Sequence, residues 1–229
     1  MPGLDFLESN TILDDMNQSS AISKIKKSGI LLVFPINNKK EPASLWSEFF
    51  PRTKMRWEWN ETGDNRVGIL WSLMKMLSAD TQVVYSKWYQ GRATFFSREL
   101  FTALICISLD EFTNPELSRT AREILDCLES DSPLSTKKLK KLTELRGKEN
   151  EKLYNRGMKE LFNKFLIVAF GEVDDGAFPS LAIGTTENLF ENLFSEAKVM
   201  EKNTARKIID RYMPEDTLFR NYLEKITQC

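Results

Sequence analysis

Residues 148–184, KENEKLYNRGMKELFNKFLIVAFGEVDDGAFPSLAIG, decide how the rest of the chain is read. Over 148–163 the apolar residues Leu153, Met158, Leu161 and Phe162 fall roughly on one side of a helix. Asn150, Lys152, Asn155, Arg156 and Lys159 remain for the other. From Phe165 the period changes: FLIVAFGEV is β-branched and aromatic, Asp174-Asp175-Gly176 is a turn signal, and AFPSLAIG supplies a second strand. A basic helix followed by a hairpin is the end of a recognisable unit.

Working towards the N-terminus, Lys137, Lys138, Lys140 and Lys141 lie over a short apolar stripe, Leu139, Leu142 and Leu145, that follows Ser135 and is closed by Gly147. Before that, Ser118 caps a helix with Ala121, Ile124, Leu125 and Leu128 at helical spacing, ended by ESDSP (129–133). Three helices and a hairpin in 118–184 are the winged helix-turn-helix order. A helix about 10–12 Å wide fits the major groove of B-DNA, with the hairpin reaching the adjacent backbone. On that docking Asn150, Tyr154 and Asn155 face base edges, and Lys148, Lys152, Arg156 and Lys159 meet phosphates. Glu172, Asp174 and Asp175 at the hairpin tip repel phosphate, so the helices carry the expected contact.

Residues 18–97 repeat the plan with longer loops. A helix (AISKIKKSG) after Ser20, the apolar run ILLVFPI, a short helix PASLWSEFF stopped by Pro51, and a long amphipathic helix capped by Asp64 precede a second hairpin. Val67, Leu70, Leu73, Met74 and Leu77 are the inward face of that long helix. The hairpin runs from Gln82 to Tyr89 and from Ala93 to Ser97 across Gln90-Gly91-Arg92. Its Tyr85, Trp88, Tyr89, Phe95 and Phe96 read mainly as packing. Lys87 and especially Arg92, at the turn, are nucleic-acid contact candidates. In MRWEW (55–59), Trp57 and Trp59 share a strand face with Met55 and read as packing.

The predicted fold class is therefore mainly α with small β-hairpins (α+β): tandem winged helix-turn-helix units with a C-terminal helical brace. The divisions are an extension at 1–17, a first unit at 18–97, a connecting helix at 98–117, a second unit at 118–184 and C-terminal helices at 185–229. The connecting segment contains SRELFTALICISL, a nearly all-apolar buried helix. In the C-terminal part TENLFENLFSEA, KNTARKIIDRYM and PEDTLFRNYLEKI predict three short helices, the last started by Pro214-Glu215-Asp216.

Composition narrows the chemistry. The 229 residues hold 32 Lys+Arg, 33 Asp+Glu and no histidine. Without imidazole there is no Ser-His-Asp or Cys-His nucleophile, no histidine zinc ligand and no histidine base. No phosphate loop of the G-x-x-x-x-G-K-[ST] or G-x-G-x-x-G type is present, so neither a metal nor another cofactor is expected. Three dispersed cysteines and no basic, apolar leader suggest a reduced, cytoplasmic protein, and no apolar run approaches membrane length. The near-zero net charge hides segregation. Residues 52–98 carry 8 basic against 4 acidic groups and 135–164 carry 10 against 4, whereas 99–134 carry 2 against 8.

The segments SLWSEFFPRTKMRWEW (44–59) and VVYSKWYQGRATFFSRELFTAL (83–104), with the winged unit after them, resemble the AlkZ (YcaQ-like) family of bacterial alkylpurine DNA glycosylases. More closely, they resemble a related group, the AlkZ-related proteins, that lacks demonstrated activity. The similarity covers about residues 20–184. It implies tandem winged helices forming a concave, basic DNA-binding surface, and base excision by water attack at the glycosidic carbon. One element departs. The family holds its catalytic water with a Gln-apolar-Gln or Gln-apolar-Asp motif near the start, where this chain reads ILLVFPIN (30–37), and none of Gln18, Gln82, Gln90 or Gln228 has Gln or Asp two residues later.

The expectation is a non-catalytic protein that binds double-stranded DNA. One alternative is a glycosylase using a non-standard carboxylate, with Glu58 and Asp64 as the acids to consider. The other is a protein–protein interaction module in which the basic third helix docks on an acidic partner, including the acidic 99–134 segment of the same chain.

Overall fold

The computed structural model describes residues 16–56, 64–173 and 180–227. In chain order the first elements are α1 (Gln18–Ser28), β1 (Ile30–Leu32), α2 (Leu45–Phe49), α3 (Asn65–Ser78), β2 (Val83–Ser86) and β3 (Thr94–Ser97). Helices α4 (Arg98–Ile107) and α5 (Leu109–Thr113) lead to α6 (Arg119–Ser130), β4 (Leu134–Ser135), α7 (Thr136–Leu142), α8 (Lys148–Asn163), β5 (Ile167–Val173) and β6 (Ser180–Thr185). Helices α9 (Thr186–Leu189), α10 (Glu191–Val199), α11 (Lys202–Tyr212) and α12 (Leu218–Thr227) complete the chain. This is an α+β protein, as the sequence implies.

Short polar side chains start the helices. Asn17, Asp64, Ser118 and Ser135 accept from the backbone N–H groups of Ser20, Arg66, Ala121 and Lys138, which satisfies donors that have no partner inside the helix. The first cap is thus Asn17 rather than Ser20. The last helix begins at Leu218, not at Pro214, with Thr217 Oγ1 accepting from Arg220 N at 3.3 Å. TENLFENLFSEA makes two helices, α9 and α10, because the backbone breaks at Phe190.

The hairpins do not stand apart as two small ribbons. They join in one six-stranded sheet of order β1-β3-β2-β5-β6-β4, with antiparallel neighbours throughout. Each half has the same internal order: the strand after the first helix lies outermost, the last strand is central, and β2 or β5 is innermost. The seam is the pair Tyr85↔Ala169, which links the halves through these inner strands.

Strand alternation divides the core in two. Leu31, Val83, Tyr85, Phe95, Ile167, Ala169 and Ile183 face a cluster with the buried faces of α1–α3 and α6–α8. Ile30, Leu32, Val84, Phe96 and Val168 face the other way, against α4, α10, α11 and α12. Helix α4 is buried from Leu100 to Cys106, as its apolar sequence requires. Both faces of the sheet are therefore covered.

Two glycines set close approaches. Gly157 lies inside α8, where glycine normally costs about 1 kcal/mol relative to alanine. A Cβ there would come within 3.1 Å of Ile124 Cδ1 and Thr120 Cγ2 of α6, so its absence lets α6 and α8 pack closely. Gly29, at φ +76°, ends α1 in the left-handed region and leaves room for the Tyr212 ring of α11. The same contact ties the first half to the C-terminal helices.

Candidate nucleic-acid interface

Helix α8 is amphipathic, and its buried side consists of Tyr154, Gly157, Met158, Leu161 and Phe162. At 100° per residue, Lys148, Lys152, Arg156 and Lys159 fall within an arc of about 80° directly opposite that side, over a length of about 16 Å. All four are exposed, and among the described residues none has an ion-pair partner. The acidic residues nearby are mostly committed elsewhere. Glu151 pairs with Lys140 at 2.6 Å, and this hydrogen bond holds its carboxyl below the usual range. Glu160 accepts from Ser118 N (2.8 Å) and Oγ (2.6 Å), fastening the start of α6 to α8. The stripe thus stays positive where it faces solvent.

The base-edge candidates fare differently. Asn150 is half-buried and its Nδ2 donates to the Arg146 carbonyl at 2.9 Å, closing the turn before α8. Asn155 is exposed, with a long contact from Nδ2 to Glu151 Oε1 at 3.4 Å. Tyr154 is only 3% exposed, its hydroxyl has no hydrogen-bond partner among the described residues, and Lys140 Nζ sits 4.7 Å from its ring centre. Burial pushes its phenol pKa up. Tyr154 is a core residue turned away from any ligand at the basic stripe. Leu153, expected inside, is 46% exposed, and Leu142 of α7 is 50% exposed. The helix is rotated so that Tyr154 rather than Leu153 faces the core.

Arg92 and Lys87 flank the turn of the first hairpin. Arg92 is exposed, whereas Lys87 is half-buried and burial lowers its ammonium pKa. This turn, Tyr89–Gly91, packs against α8. Tyr222 bridges the two: its hydroxyl donates to Asn163 Oδ1 at 3.0 Å and its ring lies 4.9 Å from Tyr89. The turn bearing Arg92 is therefore held at the C-terminal end of α8. The aromatics of this hairpin are core: Tyr85, Trp88, Tyr89, Phe95 and Phe96 are all buried, and Trp88 stacks on Phe165 at 5.9 Å.

The converse contact also exists. Glu172 on β5 reaches Lys75 of α3 at 2.9 Å, which removes one of the expected repulsive charges from the second hairpin. Asp174 and Asp175 lie outside the described residues, as do Trp57, Glu58 and Trp59. Asp64, the other acid considered for catalysis, holds Arg66 through both oxygens, at 2.7 Å to Nε and 2.8 Å to Nη2, while also capping α3. Three of its roughly four lone-pair sites are thus in use. The ILLVFPIN segment begins with β1, and Ile30, Leu31, Leu32 and Val33 are all buried. The basic stripe does not dock on the acidic 99–134 segment, since α8 meets α6 through its apolar side.

These features define an α+β protein with two like-ordered halves joined through one sheet, presenting on the second half a basic helix face that has no ion-pair partner among the described residues. The chain belongs to the AlkZ related family, whose sequence profile matches residues 16–221. It is thus kin to DNA glycosylases. No curated protein and no solved structure matches the chain.

Proposed function

We propose that this is a non-catalytic protein that binds double-stranded DNA through α8. On this reading, the like-ordered halves are winged helix-turn-helix units, 18–97 and 118–184, joined by the 98–117 helical segment and braced by the helices after 185. The observation that carries it is the ladder Lys148, Lys152, Arg156 and Lys159, exposed and, among the described residues, without an ion-pair partner. Four cations along about 16 Å make a track long enough to follow the backbone bordering a major groove about 12 Å wide. Arg92 at the end of α8 extends the track, and Asn155 is the exposed amide placed to reach a base edge. Kinship with glycosylases supports DNA as the polyanion.

The occupied carboxylate of Asp64, the apolar β1 segment and the absence of histidine favour binding without base excision. Fluorescence anisotropy on a labelled duplex of about 20 base pairs, at two salt concentrations, tests the binding. Four phosphate contacts give a slope of log K against log salt near −3.6. Absence of binding at low salt, or binding indifferent to salt, would overturn the proposal. Incubation with alkylated DNA followed by alkaline cleavage separates the glycosylase alternative, since base loss leaves a site that breaks.

A further inference from the structure

The first half holds a second concentration of positive charge that α8 leaves unused. Arg52, Thr53, Lys54, Arg56, Asp64, Asn65 and Arg66 line a cleft of about 470 Å³. Four cations against one carboxylate give these residues a formal charge of +3. The carboxylate is Asp64, already engaged by Arg66 as described. Among the described residues, Arg52, Lys54 and Arg56 have no carboxylate partner.

The walls are held in place. Thr53 N donates to the Phe50 carbonyl at 3.1 Å, and the Trp46 indole Nε1 donates to the Thr53 carbonyl at 2.9 Å. Asn38 clasps Met55 through both its amide atoms, at 2.7 and 3.0 Å. The Arg66 guanidinium lies 5.1 Å from the Phe50 ring centre and 5.8 Å from that of Trp46, so its plane is fixed between the ion pair and the aromatics. A concavity lined by charges of one sign raises the local concentration of anions. The forked donors of arginine match the oxygens of phosphate as they do those of a carboxylate, and several arginines around one concavity can share the oxygens of a single phosphate.

We infer that this cleft seats a phosphate group of a nucleic-acid strand, at a second contact point in the half of the chain that lacks α8. The inference rests on the DNA-binding reading and extends it to a separate set of residues. The phosphate is either a backbone diester or a terminal monoester.

The test compares wild type, R52Q/R56Q and K152Q/R156Q by anisotropy on duplexes with 5′-hydroxyl or 5′-phosphate ends. Thermal melting first verifies that each variant folds. Isothermal titration with inorganic pyrophosphate probes the cleft without DNA. If R52Q/R56Q makes the salt slope shallower by about 0.9 on both duplexes, the cleft holds a backbone phosphate. If it removes only a preference for the 5′-phosphate end, the cleft holds a terminal one. Either result is accompanied by pyrophosphate binding that R52Q/R56Q weakens at least tenfold. If R52Q/R56Q stays within twofold of wild type on both duplexes while K152Q/R156Q weakens, the inference fails and the α8 reading stands. If wild type binds no DNA, both fail, whatever pyrophosphate does.

Discussion

Replacing Lys152 and Arg156 with glutamine removes two of the four charges of the α8 ladder while keeping side-chain length. Both side chains are exposed and unpaired, so folding stability should change by less than about 0.5 kcal/mol. Binding should change much more. Each phosphate contact contributes about −0.9 to the slope of log K against log salt, so four contacts give about −3.6 and two give about −1.8. Between 50 and 200 mM salt, the α8 contacts alone should make wild-type affinity fall about 150-fold and that of the double variant about 12-fold. At 100 mM, counterion release alone makes the variant about 60-fold weaker. Anisotropy titrations of one duplex over a salt series measure all three quantities, and the loss should be similar on unrelated sequences, since phosphate contacts carry no base information. A variant that melts like wild type but keeps the wild-type slope would refute the assignment of these side chains to phosphates.

Other outcomes follow from the packing. Tyr154→Phe should leave DNA affinity within twofold, and by removing a buried hydroxyl without a partner it should alter stability by under about 1 kcal/mol, in the stabilising direction. Gly29→Ala combines a left-handed φ with a Cβ that would fall 2.3 Å from Tyr212 Cδ1, so it should cost about 2–4 kcal/mol in chemical denaturation. Glu99 is held below the usual carboxylate range by hydrogen bonds from Arg211 and Tyr212. Its stabilisation is therefore present above the unfolded value of about 4.3 and is lost as pH falls through the lower folded value. Glu99→Gln should accordingly flatten the decline of Tm between about pH 5 and pH 3; an unchanged profile would show that the pair contributes nothing.

Much of this architecture is legible in sequence because local signals agree with tertiary packing. The inward face of α3 is the set Val67, Leu70, Leu73, Met74 and Leu77, and that of α6 is Ala121, Ile124, Leu125 and Leu128, as their spacing predicts. The hairpin around Gln90-Gly91 likewise forms where β-branched and aromatic residues flank a turn. The rotation of α8 is not legible. Leucine and tyrosine at adjacent positions both satisfy helical periodicity, and only tertiary packing buries Tyr154 and leaves Leu153 exposed. Nor is the seam Tyr85↔Ala169, since a pairing between distant strands leaves no local signature. The Arg52–Arg66 cleft shows in sequence only as a basic block. Its common lining depends on Phe50 and Trp46 fixing Arg66 from a different element.

The most direct test of DNA binding through α8 is lysine footprinting: acetylation of the folded protein, free and saturated with duplex, read residue by residue by mass spectrometry. The account predicts that Lys148, Lys152 and Lys159 become protected by DNA, whereas Lys198 and Lys207 on the C-terminal helices react equally in both states. Equal reactivity of the three α8 lysines with and without bound duplex, or protection confined to the C-terminal helices, would contradict it.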